Sequence, residues 1–195
     1  MAEDLISSTG KALVYEDQVP LRWSPVEAPL PAAQLASLDQ RNEEMLAFIA
    51  ALEEYKGDGA DDEHEPHRQE LLRVEHKINL LLEMVGQLLA RHADLPGAVP
   101  VRLSPGAIEW RSENAPAVGE RLLLEIFINK KYPSPLVFPG RVRQVDAQDQ
   151  GGAARIVVEF EQGSDAVTHA LEKMIFRHHR RRIAHVRGHQ SAQGS

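Results

Sequence analysis

The most regular hydrophobic pattern of the chain lies between residues 66 and 93. Apolar side chains recur there at alternating steps of three and four, the heptad spacing of a coiled coil, at Leu71, Val74, Ile78, Leu81, Val85 and Leu88. All a and d positions over three heptads are therefore apolar. The neighbouring e and g positions add Leu82, Met84 and Leu89. A helix that is apolar on so much of its surface needs at least two partners.

A helix is also predicted upstream, from Pro31 to Gly57, with apolar residues mostly three or four positions apart. The loop of residues 57–65 is short and acidic, so the two helices are expected to form an antiparallel hairpin. Leu72 and Leu80 would then face the first helix. Two arrangements fit this pattern: the hairpin packs back onto its own globular domain, or hairpins from several chains form a bundle.

The strict heptad period favours the bundle between chains, because packing against a β-barrel requires no heptad. A pair of hairpins or four of them would cover the exposed seam, and the apolar e and g positions favour four. We therefore expect residues 31–96 to be an oligomerisation element and the homo-oligomer to be a tetramer.

Short strands are predicted in the remainder of the chain. Residues 99–110, 121–128, 136–145 and 155–161 combine alternating apolar positions with turn residues, and residues 12–23 add one or two strands. A bulge or corner is expected at Pro139–Gly140. The predicted fold class is α+β: a first strand within residues 1–30, the hairpin, a small barrel at residues 97–165, a basic helix at residues 166–187 and a disordered tail at residues 188–195.

Composition and charge narrow the classes of function. The net charge of −7 makes nucleic acid an unlikely main ligand, because phosphate binding needs a positive field. Residues 39–65 contain ten acids, whereas residues 177–187 contain five arginines, three histidines and no acid. The chain has no cysteine, no leader-like N-terminus and no apolar run near the ~18 residues of a membrane helix. We expect a cytoplasmic protein without membrane contacts.

Motifs for catalysis or metal binding are sparse. His64 and His67 lie beside acidic residues, a combination that can hold a metal but that is more often simply solvated on such a loop. The chain has no glycine-rich phosphate loop, no His-Glu-x-x-His and no Gly-x-Ser-x-Gly motif. Ser104 precedes a proline and has no base nearby in sequence. We expect no enzymatic activity, no metal and no cofactor.

The strand order resembles the PilZ domain, a bacterial six-stranded barrel closed by a C-terminal helix. Residues 101–110 (VRLSPGAIEW), 140–142 (GRV) and 157–160 (VVEF) carry the resemblance. PilZ domains bind cyclic di-GMP through Arg-x-x-x-Arg on an N-terminal arm and Asp/Asn-x-Ser-x-x-Gly on the barrel. With its heptads, the chain is similar to the atypical tetrameric branch. There a helical insertion between the first and second strands drives assembly.

The ligand motifs are only partly kept. Arg102 stands in place of the acid or amide, Ser104 keeps its position, and the glycine is shifted to Gly106. No Arg-x-x-x-Arg precedes the barrel, where Arg22 stands alone. The atypical branch is associated with loss of the nucleotide-binding residues. The resemblance therefore implies that Arg102, Ser104 and Gly106 form a degenerate site, and that cyclic di-GMP binding is weak or absent.

The basic final helix has three interpretations. Its arginines can be a solvated helix end that interacts favourably with the helix dipole. They can also dock an acidic partner, including the acidic hairpin of a neighbouring subunit, or contact nucleic acid. Arg177 and Arg181 are four residues apart and share one face, which makes them the candidate docking pair.

These features lead to one favoured function and two alternatives. The favoured hypothesis is a non-catalytic adaptor of the cyclic di-GMP network that acts through protein–protein contacts. The resemblance implies partners in motility, secretion or second-messenger signalling. The first alternative is a genuine cyclic di-GMP receptor with a variant site around Arg102 and Ser104. The second is a coiled-coil scaffold that binds nucleic acid through its last helix.

Overall fold

The computed structural model describes residues 14–54, 66–92, 94–129, 132, 134–146, 152–161 and 163–192. The helices and strands follow in the order β1 (Tyr15–Pro25), α1 (Ala32–Glu54), α2 (Pro66–His92), β2 (Ala98–Leu103), β3 (Ala107–Ser112), β4 (Arg121–Ile126), β5 (Leu136–Val145), β6 (Ala154–Phe160) and α3 (Asp165–Ala192). Two helices therefore stand between the first and second strands, as the resemblance implied.

The strands close a six-stranded barrel in the order β1-β2-β3-β6-β5-β4, and the paired neighbours are antiparallel. The long strand β1 pairs with β2 through Tyr15 to Pro20 and with β4 from Leu21 onward. Because side chains alternate across a strand, every second residue points into the barrel. The interior is filled by aliphatic side chains that include Leu103, Ile108, Leu122, Leu124, Ile126 and Ile156. The predicted α+β class with a small barrel is confirmed.

α1 belongs to this globular body. It packs against α3 and β5 and buries Leu46 and Ile49. Near its middle, the Asn42 side chain hydrogen-bonds the backbone of Val137 in β5. One turn earlier, Asp39 Oδ2 accepts a 2.8 Å hydrogen bond from the backbone N–H of Ser164, just before α3. The apolar side of α1 is thus occupied by contacts with the barrel and α3.

The predicted packing of the two inserted helices on each other is wrong for a single chain. Among the described residues, α2 contacts no other helix or strand. Leu72 and Leu80, expected to face the first helix, are 50% and 52% exposed. The physical reason is that α1 packs against β5 and α3 and buries Leu46 and Ile49 there, so that its most apolar face is directed away from α2.

Two smaller expectations are also corrected. The bulge predicted at Pro139–Gly140 lies further along β5, where the pairing with β6 shifts register between Val142 and Gln144. α3 continues to Ala192. The prediction of a disordered tail from Gly188 is therefore wrong for residues 188–192. An uninterrupted helical backbone hydrogen-bond pattern can extend through polar residues, which hydrophobic periodicity does not reveal. Residues 193–195 lie outside the described part of the chain.

Candidate functional site

A row of alternating charges crosses the outer face of the barrel. The strand register sets Glu16 of β1 opposite Arg102 of β2, and Arg102 opposite Glu109 of β3. Opposite charges at directly paired positions attract one another across a sheet. The row extends onto β6 and the residue after β5 at one end, and onto α3 at the other. We call it the charge ladder: Arg182, Glu16, Arg102, Glu109, Arg155 and Asp146.

Arg102 lies in the middle of the charge ladder, held by two carboxylates. Its Nε atom is 3.5 Å from Glu16 Oε1, and its Nη1 atom is 3.3 Å from Glu109 Oε2. Arg155 also donates to Glu109, at 2.8 Å. The Arg102 side chain is partly exposed, so these pairs orient the guanidinium more than they stabilise the fold. An anion that binds Arg102 would have to compete with both carboxylates.

Glu16 forms ion pairs with two arginines, one on each side of its carboxylate. Arg182 Nη1 of α3 donates to Glu16 Oε2 at 2.8 Å, opposite the contact with Arg102. The hydrogen bond from Arg182, followed by the charges of Arg182 and Arg102, lowers the pKa of Glu16 below its ordinary value of 4.5, although partial burial acts in the opposite direction. Glu16 is therefore a stable negative charge between two guanidinium groups.

The other two residues of the degenerate motif shape a turn. Ser104 is buried, and its Oγ donates to the carbonyl of Ala107 at 3.1 Å and accepts from the Ala107 N–H at 3.0 Å. The carbonyl of Gly106 accepts a 2.8 Å hydrogen bond from the backbone N–H of Phe160. The hydrogen bonds of Ser104 are therefore used within the β2–β3 turn. Arg102, Ser104 and Gly106 are neighbours in sequence, but they have separate structural roles.

An open groove of about 470 Å³ runs beside Arg102 on the face of β1, β2 and β3. Its lining includes Glu16, Asp17 and Gln18 of β1, Pro100 of β2, and Glu109 and Arg111 of β3. The groove thus carries charges of both signs, with the guanidinium groups of Arg102 and Arg111 among carboxylates.

The outer half of α3 is anchored to the start of β1. The ring of His178 lies against that of Tyr15, with 4.2 Å between centroids and a 48° tilt. Burial lowers the pKa of His178 below its ordinary value of 6.5, and the charges of Arg181 and Arg182 act in the same direction. Asp17 and a backbone hydrogen bond involving Glu16 oppose that shift.

The predicted docking pair and the predicted seam lie on different helices. Arg181 is exposed and Arg177 is partly buried, and it is the neighbouring Arg182 that pairs with Glu16.

On α2, the a and d residues are 50% to 63% exposed: Leu71, Val74, Ile78, Leu81, Val85 and Leu88. A continuous apolar face of this length is exposed to solvent in the single chain.

The sequence model of one family, described as atypical PilZ domain, cyclic di-GMP receptor, matches residues 45–188. The chain belongs to the atypical PilZ family. The resemblance predicted from the strand order and the heptads is therefore confirmed. The matched part covers α2, five strands of the barrel and most of α3. No curated protein sequence matches this PilZ chain.

One solved structure shares the fold over nearly the whole chain. A tetrameric PilZ domain of a pathogenic protein from Xanthomonas campestris, self-assembled via a helical bundle, matches with a TM-score of 0.71 and 21% identity. The alignment covers 92% of this chain and 95% of that one. The inhibitor of motility from Bacillus subtilis matches over 41% of this chain, at 17% identity, 40% of its own length and a TM-score of 0.35. The PilZ domain of YcgR from Escherichia coli with cyclic di-GMP matches over 51% of this chain and 81% of its own length. Its sequence identity is 18% and its TM-score is 0.33.

Two other kinds of feature that bear on function are metal-ligand clusters and membrane-spanning helices. Within the residues that the structure describes, no group of three or more histidine, cysteine, aspartate or glutamate side chains could hold a metal. The side chains of His64 and His67 lie outside that described part. No described helix is long and apolar enough to cross a membrane.

Sequence reasoning missed most of the charge ladder. Glu16, Glu109 and Arg155 occupy outward positions of alternating strands, so alternation predicts that they are solvent-facing. Their mutual pairing depends on the register and on the order of strands around the barrel. A charge count along each strand could have suggested complementary rows, but only the topology shows which rows are adjacent.

Proposed function

We propose that this atypical PilZ protein is a self-assembling, non-catalytic adaptor whose usual nucleotide site is degenerate. The observation that carries the proposal is the exposed heptad face of α2. About half of each a and d side chain remains to be buried, and full burial of such a side chain is worth about 1.5–3 kcal/mol. Since the chain's other described elements leave this face open, association of several chains is the simplest way to cover it.

A tetramer is the proposed assembly. The apolar e and g positions beside the heptads need more than one facing helix. The Xanthomonas protein of the same fold is a tetramer formed through a helical bundle, which supports this stoichiometry. The helices that extend from the barrel would then form a bundle that presents several PilZ barrels to protein partners of a second-messenger pathway.

The proposed degeneracy rests on the surroundings of Arg102 and Ser104. The guanidinium of Arg102 is engaged by Glu16 and Glu109, and the hydroxyl of Ser104 is engaged by the turn. The N-terminal arginine pair of the family is absent from the sequence before β1. Losing charge-assisted bonds from two arginines, at roughly 1.5–3 kcal/mol each, weakens affinity by about a hundredfold or more.

Light scattering on the purified protein tests assembly. The parent protein is expected to have about four times the mass of one chain. Leu81→Asp places a carboxylate in the middle of the seam, which should split the assembly. His76→Asp introduces the same carboxylate at an f position of the same helix and should leave the mass unchanged. A monomeric parent protein would contradict the proposal.

Calorimetry with cyclic di-GMP tests the degenerate site separately. We expect no heat of tight binding at micromolar concentrations. The groove beside Arg102 favours one second candidate, a receptor with a variant site. If the parent protein binds with a low-micromolar dissociation constant and Arg102→Ala abolishes that binding, the receptor function replaces the adaptor proposal.

A further inference from the structure

One carboxylate in the charge ladder is shared by two elements that are far apart in sequence. Glu16 of β1 accepts from Arg182 of α3 at 2.8 Å and pairs with Arg102 of β2 at 3.5 Å. The two arginines therefore converge on a single anionic group at the rim of the groove. Two guanidinium groups around one anion are also the arrangement that binds a phosphate.

The same position fastens α3 to the barrel. Tyr15, next to Glu16, lies against His178, and residues 178 and 182 share one face of α3 because they are four apart. Two consecutive residues of β1 therefore hold two consecutive turns of α3. The surface of α3 beyond this contact is exposed from Arg180 to Ala184.

Glu109 and Asp17 do not reproduce this link. Glu109 holds Arg102 from the β3 side and also pairs with Arg155 of β6, so its contacts stay within the barrel. Asp17 acts electrostatically on His178, but its own hydrogen bonds are with Tyr15 and with the backbone N–H of Gln18. Glu16 is the carboxylate of the described ladder that connects Arg102 with α3.

We propose that Glu16 is a built-in competitor for phosphate-bearing ligands: it occupies the position between Arg102 and Arg182 that a phosphate would take, and it thereby fastens the outer part of α3 to β1. The inference rests on the proposed function in placing a degenerate ligand site at Arg102. A phosphate group that displaces Glu16 removes the Glu16–Arg182 contact and binds Arg182 in its place. The site and the exposed basic end of α3 are then coupled through one side chain.

The decisive variant is Glu16→Gln, because the amide keeps the shape and one acceptor oxygen while removing the negative charge. The matched control is Glu159→Gln. Glu159 also pairs with an arginine, Arg143, on the outside of the barrel, and its side chain is 50% exposed against 42% for Glu16. It lies outside the charge ladder.

Inorganic pyrophosphate is the probe, titrated by calorimetry at low ionic strength. We expect E16Q to bind it at least tenfold more tightly than the parent protein, and E159Q to match the parent. Adding Arg182→Gln to E16Q should remove the gain, because it removes one of the two guanidinium groups. Hydrogen exchange of residues 176–184 should be faster in E16Q than in the parent or in E159Q.

Each other outcome counts against the proposal. Equal pyrophosphate affinities of E16Q and the parent would show that Glu16 does not compete with phosphate. A gain in E16Q that survives Arg182→Gln would place the anion elsewhere. Unchanged exchange of residues 176–184 would remove the coupling to α3. The adaptor proposal is judged independently, by the mass of the parent protein and its affinity for cyclic di-GMP.

Discussion

The Asn42 side chain and the backbone of Val137 exchange two hydrogen bonds, each 2.8 Å long. The amide Nδ2 of Asn42 donates to the carbonyl of Val137, and Oδ1 accepts from its N–H. Both residues are buried. The ladder between β5 and β6 begins at Gly140, so Asn42 satisfies backbone groups that none of the described strands reaches on that side. The helix that starts the insertion is thus also a cap for the open edge of β5.

Replacing Asn42 by alanine should destabilise the protein by roughly 2–4 kcal/mol, because a buried donor and a buried acceptor of Val137 both lose their partner. The check is urea unfolding followed by circular dichroism. Gln40→Ala is the control, since Gln40 is exposed on the same helix and its side chain donates a hydrogen bond to Glu44, one turn further along. Equal unfolding midpoints for N42A and Q40A would contradict the role of Asn42 as a cap.

Gly140 and Gly106 should respond differently to alanine. A Cβ at Gly140 would lie 2.6 Å from Val158 Cγ1 and 2.8 Å from the carbonyl oxygen of Glu159, on the neighbouring strand. A Cβ at Gly106 would meet nothing within 4 Å. We expect Gly140→Ala to cost about 1–3 kcal/mol through overpacking and Gly106→Ala to change little. Thermal unfolding of the pair checks this, and similar melting temperatures would show that β5 and β6 separate easily at Gly140.

The parts of the fold that follow from local periodicity were predictable. The α2 stripe repeats at heptad spacing, and the barrel strands alternate, so Leu81 and Ile108 could be placed on apolar faces before any contact was known. The docking of α1 was not predictable in this way. Asn42 looks like an ordinary polar residue of a helix, and its buried position depends on where β5 lies.

The candidate site divides along the same line. Arg102, Ser104 and Gly106 could be named as candidates because a family motif is a pattern in consecutive residues. Glu16 and Arg182 could not, because the helical insertion and the whole barrel separate them from each other in sequence. Their pairing is a consequence of closing the barrel and laying α3 across β1, which no local pattern encodes.

Partner binding by the basic helix remains a prediction. Arg177 and Arg181 share a face of α3, so replacing both by glutamate should reverse the charge of one stripe and abolish capture of acidic partners. Glu172→Lys reverses an exposed charge on the opposite face of the same helix and is the control. Immobilised parent and variant proteins would be compared by mass spectrometry of what they retain. Light scattering should show the same oligomer in both variants, since the heptads lie on α2.

If the doubly substituted protein retains the same set of proteins as the parent and the Glu172→Lys control, the stripe does not dock a partner. In that case the arginines serve the helix end, where positive charge interacts favourably with the dipole of α3.

The stability of the protein should fall as the pH drops below about 6.5, in part through His178. Its folded-state pKa is lowered, first by burial and then by Arg181 and Arg182, against the opposing effects of Asp17 and Glu16. In that range the unfolded chain takes up a proton at this position and the folded chain does not, so protonation favours unfolding.

His178→Phe keeps a ring against Tyr15 and removes the titration. Between about pH 7 and 5, its stability should therefore depend less steeply on pH than that of the parent. Urea unfolding at several pH values measures this slope, with His169→Gln as the control at an exposed position of the same helix. A slope in H178F as steep as in the parent and in H169Q would mean that the contact of α3 with β1 is insensitive to the charge of His178.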